Sequence, residues 1–95
     1  MMATEDITVA AAVIRNQEGK ILLARRPDHK HMGGLWEFPG GKVRTGEDPR
    51  SALVRELHEE LGVEASVDSP LSFAIHDEPG LRILLLFFAA RLTAG

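Results

Sequence analysis

The chain has 95 residues, a formal net charge of −3 and no cysteine. That length holds one domain, 1–95, and buries a smaller fraction of its surface than a longer chain would. The charge excludes a basic field for nucleic-acid polymers or a membrane surface, and the missing thiols exclude disulfides, thiolate zinc sites and cysteine catalysis.

Hydrophobic residues make up 44% and charged residues 26%, ordinary values for a soluble globular domain. The N-terminus shows no basic stretch followed by an apolar run and cleavage site. The longest apolar run, Ile83 to Ala90, is too short to span a bilayer as a helix. These features fit a protein of a reducing cytoplasm.

Met1 to Asp6 is expected to fray. Ile7 to Ile14 is mostly apolar with β-branched residues and reads as a buried strand. Asn16 to Gly19 is a turn signal, and Lys20 to Arg25 reads as the returning strand of a hairpin. Pro27 to Leu35 is a polar loop with His29, Lys30 and His31, whose basic side chains suit phosphates. His29 and His31 do not make a convincing metal pair, since no further ligand is near in sequence. In Trp36-Glu37-Phe38-Pro39-Gly40-Gly41-Lys42, the glycines permit a sharp turn and close ligand approach. Trp36 and Phe38 also suit the core, Trp36 above all.

Residues 41–63 read GKVRTGEDPRSALVRELHEELGV. Asp48 is an N-cap candidate, Pro49 suits the first helical position, and Gly62 is placed to stop the helix. Leu53, Leu57 and Leu61 recur at i, i+4 and i+8 as an apolar stripe. Glu56, Glu59 and Glu60 share the opposite edge, where like charges repel by a few tenths of a kcal/mol per pair, about 0.2–0.5. No basic residue lies one turn beyond them. A solvated acidic face explains the three glutamates taken alone. A site for a hard divalent cation, which takes carboxylate and carbonyl oxygens, is the alternative, and the rest of the motif is what favours it.

After the helix, Val63 to Val67 reads as a short strand broken by Asp68-Ser69-Pro70. Leu71 to His76 is another strand candidate. Asp77 to Gly80 is a turn, and Leu81 to Leu92 reads as a strand buried on both faces.

Gly41, Glu47, Arg55, Glu56, Glu59, Glu60, Gly62 and two aliphatic positions together match one known pattern. From average residue usage, a chance match at a given start is on the order of one in 10⁹. This stretch resembles the Nudix box, complete and without substitution. The resemblance runs from about Val9 to Arg91 and is strongest to MutT-type Nudix hydrolases, notably in LARRPDHKHMGGLWEFPGGKV.

The resemblance implies an α+β fold, an α/β/α sandwich around a mixed sheet. The C-terminal strands and second helix of that fold are missing from this chain. An uncovered apolar face would favour homo-oligomers, including ones that exchange elements. It also implies Mg²⁺-dependent hydrolysis of a nucleoside triphosphate to a monophosphate and pyrophosphate, with Mn²⁺ as a substitute ion.

By the same resemblance, Glu56, Glu59 and Glu60 are catalytic and bind metal, Glu56 being the first candidate for general base. The Gly40 carbonyl adds a metal ligand. Arg26, His31 and Phe38 lie at the substrate, and Glu47 and Arg55 form a structural salt bridge; Lys42, from its charge, joins Arg26 as a candidate to hold the phosphates. A free-standing alternative for Glu47 is favourable charge near a helix N-terminus. The competing function is a weak or inactive nucleotide-binding module that keeps the fold. The intact glutamates argue against that reading and the short C-terminus argues for it.

Overall fold

The computed structural model describes residues 4–29 and 33–94. Its elements are β1 (Glu5–Ile14), β2 (Ala24–Arg25), β3 (Trp36–Glu37), β4 (Gly40–Lys42), α1 (Pro49–Leu61), β5 (Glu64–Glu78) and β6 (Leu81–Ala94). Four strands form one sheet in the order β4-β1-β6-β5. The β1–β6 pair is parallel, and the β1–β4 and β5–β6 pairs are antiparallel. The fold is therefore α+β around a mixed sheet, as the sequence predicts.

The period of two along β1 and β6 sorts their residues onto two faces. Ala10, Ala12 and Ile14 of β1, with Phe88 and Ala90 of β6, pack with Leu53 and Leu57 of α1 as the core. Leu53 and Leu57 are fully buried, whereas Leu61 is 38% exposed and stands outside the stripe predicted for it. The helix ends one residue later, where Gly62 adopts a left-handed conformation and its N–H donates to the His58 carbonyl at 3.0 Å. At the other end the Asp48 carboxylate accepts from the amides of Arg50 and Ser51 at 3.1 and 3.2 Å, and Pro49 opens the helix.

Several boundaries differ from the sequence reading. The N-terminal segment is ordered into β1 from Glu5, whose N–H donates to the Gly80 carbonyl at 3.0 Å. The expected hairpin strand Lys20–Arg25 shrinks to Ala24–Arg25, preceded by a single bridge between Arg15 and Ile21. The cause is competition for an edge. β4 and Pro39 occupy that side of β1, with Ala12 N–H donating to the Pro39 carbonyl at 2.9 Å. The chain therefore leaves β1, and β2 pairs with β3 instead.

The predicted break at Asp68-Ser69-Pro70 is absorbed within one strand of 15 residues. Its register against β6 shifts between Val67 and Pro70 and again between Pro70 and Ser72. β5 lies at the sheet edge, where a proline without an N–H is tolerated at a bulge. Arg50 of α1 steadies the bulge: its Nε donates to the Asp68 carbonyl at 3.1 Å, and its guanidinium lies 5.7 Å from the Phe88 ring centre. β6 is not buried on both faces as predicted. Phe88 and Ala90 are buried, and Ile83 to Phe87 are half-buried. Among the described residues α1 is the one helix, so the second sheet face has no helical cover.

Candidate active site

The second sheet face forms the floor of a cavity of about 720 Å³. Ile7 and Val9 of β1, with Ile83, Leu85 and Phe87 of β6, supply apolar surface. The walls bring together Arg26, Phe38, Gly40, Lys42, Glu56 and Glu60, all singled out in the sequence. His31, also singled out, lies outside the described residues. Trp36 lines the cavity too, 64% exposed, so it is not the core residue its size suggests. Phe38 meets Phe87 edge to face at 5.7 Å between ring centres.

Two adjacent glycines allow the glutamate helix to sit against this wall. Gly40 has φ of +153°, and a Cβ there would run into the Ala10 carbonyl, so β4 can lie close on β1 only without a side chain. A Cβ at Gly41 would occupy the place of the Glu56 carboxylate. That carboxylate thus packs directly on the β4 backbone, with its side chain only 16% exposed.

Arg55 organises the remaining acidic groups. Its Nε and Nη2 each donate to a Glu47 carboxylate oxygen at 2.9 Å, the two-pronged geometry suited to an arginine fork. Nη2 also reaches the Lys42 carbonyl at 3.1 Å, while Nη1 donates to Glu56 at 2.9 Å and to Glu59 at 3.3 Å. Relief of the like-charge repulsion therefore comes from within the helix, where the sequence reading looked for a cation one turn beyond. These contacts raise the Arg55 pKa, through Glu47 first and Glu56 next.

The Glu47 carboxyl is held down at about 2 against an ordinary 4.5, chiefly by Arg55 and next by the Arg44 amide, which donates to it at 3.0 Å. A depressed folded-state value contributes stability fully above the unfolded pKa of 4.5, and the contribution is lost as pH falls toward 2. Glu47→Gln should lower the melting temperature at neutral pH and flatten its fall across that acid window. An acid limb as steep as the parent's would contradict this role.

The three helix glutamates are not gathered at one point. Glu56 and Glu60 line the cavity beside Gly40, whereas Glu59 does not and is turned toward arginine. Among the described residues no three acidic or imidazole side chains form a compact metal-ligating group. Glu56 and Glu60 on the cavity wall nonetheless bring carboxylate oxygens, hard ligands that suit Mg²⁺ or Mn²⁺ better than a softer ion.

Two features escaped the sequence reading. Arg26 is paired with Glu37 across the β2–β3 ribbon, Nη1 to Oε1 at 3.4 Å. Arg44 reaches Glu59 from the loop after β4 at 4.0 Å. Neither pair has a sequence spacing that signals it. The apolar floor does have a signal, the alternate residues of the two long strands.

The NUDIX domain profile matches residues 6–94, nearly the whole chain. The chain belongs to the NUDIX domain family. An 8-oxo-dGTP diphosphatase of Proteus vulgaris is 43% identical over 88 residues, spanning 93% of this chain and 79% of the relative. A CTP pyrophosphohydrolase of Escherichia coli is 61% identical over 61 residues, 64% of this chain but only 44% of the relative. The crystal structure of a MutT protein from Methanosarcina mazei superposes with a TM-score of 0.88 at 26% identity, covering 100% of this chain and 70% of that one. Within the NUDIX family the chain thus stands among hydrolases of the MutT type. No described helix is long and apolar enough to cross a membrane.

Proposed function

We propose that this NUDIX chain is a Mg²⁺-dependent nucleoside-triphosphate pyrophosphohydrolase, with Mn²⁺ able to replace Mg²⁺. The observation that carries the reading is one cavity lined by Gly40, Glu56 and Glu60 together with Arg26, Lys42 and an apolar floor. Carboxylates and cations on one cavity suit a polyphosphate bound through a divalent ion, and the apolar floor and Phe38 suit a base. Glu56, Glu59, Glu60 and the Gly40 carbonyl would hold the ion. When bound, it supplies Lewis acidity and neutralises charge on phosphate oxygens.

The chain's own residues supply the rest. Lys42 and Arg26 hold phosphate oxygens, and His31 is assigned to the substrate side as well. Phe38 packs against the base. Glu56 accepts a proton from the attacking water as its oxygen bonds to phosphorus. The bridging P–O bond breaks, and nucleoside monophosphate and pyrophosphate leave. Glu47 and Arg55 touch no substrate; they fix the loop to the helix and keep Glu56 on the β4 backbone.

The names of the relatives divide the substrate between an oxidised purine nucleotide and CTP, and we place 8-oxo-dGTP first because that match covers nearly the whole chain. The function belongs in the cytoplasm, where nucleotide and Mg²⁺ are available. The exposed Leu71, Phe73 and Ile75 of edge strand β5 support self-association. Sedimentation at micromolar concentration should show a mass above the monomer, and a sharp monomer boundary would refute association.

A panel of 8-oxo-dGTP, dGTP, CTP and ATP, scored for pyrophosphate, tests the substrate. Strongest release from 8-oxo-dGTP is expected. Preference for CTP would move the base assignment, and folded chain that binds nucleotide without turnover would favour the binding-module alternative.

A further inference from the structure

The loop between β4 and α1 carries a cation that the reaction does not use. Arg44 is exposed, but its backbone is fixed: its N–H donates to Glu47 Oε1 at 3.0 Å and its carbonyl accepts from the Glu47 N–H at 2.9 Å. Glu47 is itself clamped by Arg55. The loop therefore roots Arg44 beside the outer edge of α1, within reach of Glu59, while its exposed side chain stays free to move.

There the two oxygens of Glu59 meet different partners. Oε2 accepts from Arg55 at 3.3 Å, and Oε1 faces Nη2 of Arg44 at 4.0 Å. Glu59 is the glutamate of the three that does not line the cavity. The two contacts are unequal. Arg55 is only 19% exposed and tied to Glu47, Glu56 and the Lys42 carbonyl, so it cannot withdraw without dismantling the site. Arg44 is 66% exposed, and its pair with Glu59 is long and wet. Such pairs are weak and exchange readily.

We infer that Arg44 is a stand-in cation, pairing with Glu59 Oε1 when no divalent ion is bound and competing with that ion for the carboxylate. This rests on the proposed assignment of Glu59 as a metal ligand. A single positive charge on a mobile arm is displaced by a divalent ion that Glu56 and Glu60 also attract, and the loop keeps it close enough to return. Arg44 is thus a positioning residue that sets how tightly the ion binds without touching it. Removing a positive charge a few ångström from a doubly charged ion in a wet setting should tighten binding about three- to ten-fold.

The test is Mn²⁺ binding to the whole chain without nucleotide, read as free Mn²⁺ by electron paramagnetic resonance, with thermal melts confirming the fold. Arg44→Ala and Arg44→Gln should both bind Mn²⁺ more tightly than the parent, and Arg44→Lys should match the parent. A merely structural arginine would give weaker or unchanged binding in the neutral variants, and that result overturns the inference. Should one neutral variant fail to fold, the other carries the comparison with Arg44→Lys. If the parent itself binds no Mn²⁺, the metal assignment of the glutamates fails and the inference falls with it, a failure distinct from a binding parent with unresponsive variants.

Discussion

Glu56→Gln should lower metal-dependent pyrophosphate release by about 10²- to 10⁴-fold, the range associated with a positioned general acid or base. The substitution keeps the shape of the side chain, which packs against Gly41 and accepts from Arg55 at 2.9 Å. It removes the negative charge and the proton-accepting oxygen together. The fold should survive, because the core contacts of α1 are made by Leu53 and Leu57, which the substitution leaves in place. A melt close to the parent's with residual turnover near background is the expected pair of results. Full turnover would assign the base to another residue.

Leu57→Ala should destabilise the fold by about 2–5 kcal/mol, the usual range for emptying a buried leucine site. Leu57 is fully buried against β1 and β6, with Ala10, Ala12 and Phe88 in the same cluster. Small alanines on the strand leave little side chain able to collapse into the gap. Leu61→Ala is the control. Leu61 is 38% exposed at the helix end, so its truncation should cost no more than about 1 kcal/mol. Urea unfolding of the two variants checks this contrast, and equal losses would contradict the placement of the core on Leu53 and Leu57.

The helix was legible because its signals are local. Asp48, Pro49 and Gly62 act within a few residues of themselves, and each occupies the position its chemistry predicts. Strands β1 and β6 were legible from apolar runs. What was not legible depends on pairing between distant segments. Lys20 to Arg25 has a good strand pattern, yet β4, arriving from twenty residues further on, takes the edge of β1. Pro70 reads as a break, yet an edge strand with a bulge accommodates it.

The candidate site divides in the same way. The glutamates and the double glycine stand in one short motif, so their grouping near β4 could be anticipated. That Gly41 makes room for the Glu56 carboxylate could not, because the contact crosses from strand to helix. Nor could the contact of Glu59 with Arg44, which depends on where the loop between β4 and α1 lands, although its pairing with Arg55 is an ordinary i,i+4 contact of the helix. Trp36 was misplaced because size alone favours burial, whereas β3 lies in a two-stranded ribbon with little to cover it.

The most direct measurement is pyrophosphate release from 8-oxo-dGTP by the folded 95-residue chain with Mg²⁺, and again with EDTA. Release that EDTA abolishes and added Mg²⁺ restores is the predicted result. Release indifferent to EDTA, or none from any nucleoside triphosphate by a chain shown to be folded, would contradict the account of Glu56, Glu59 and Glu60 as a metal-dependent hydrolytic centre.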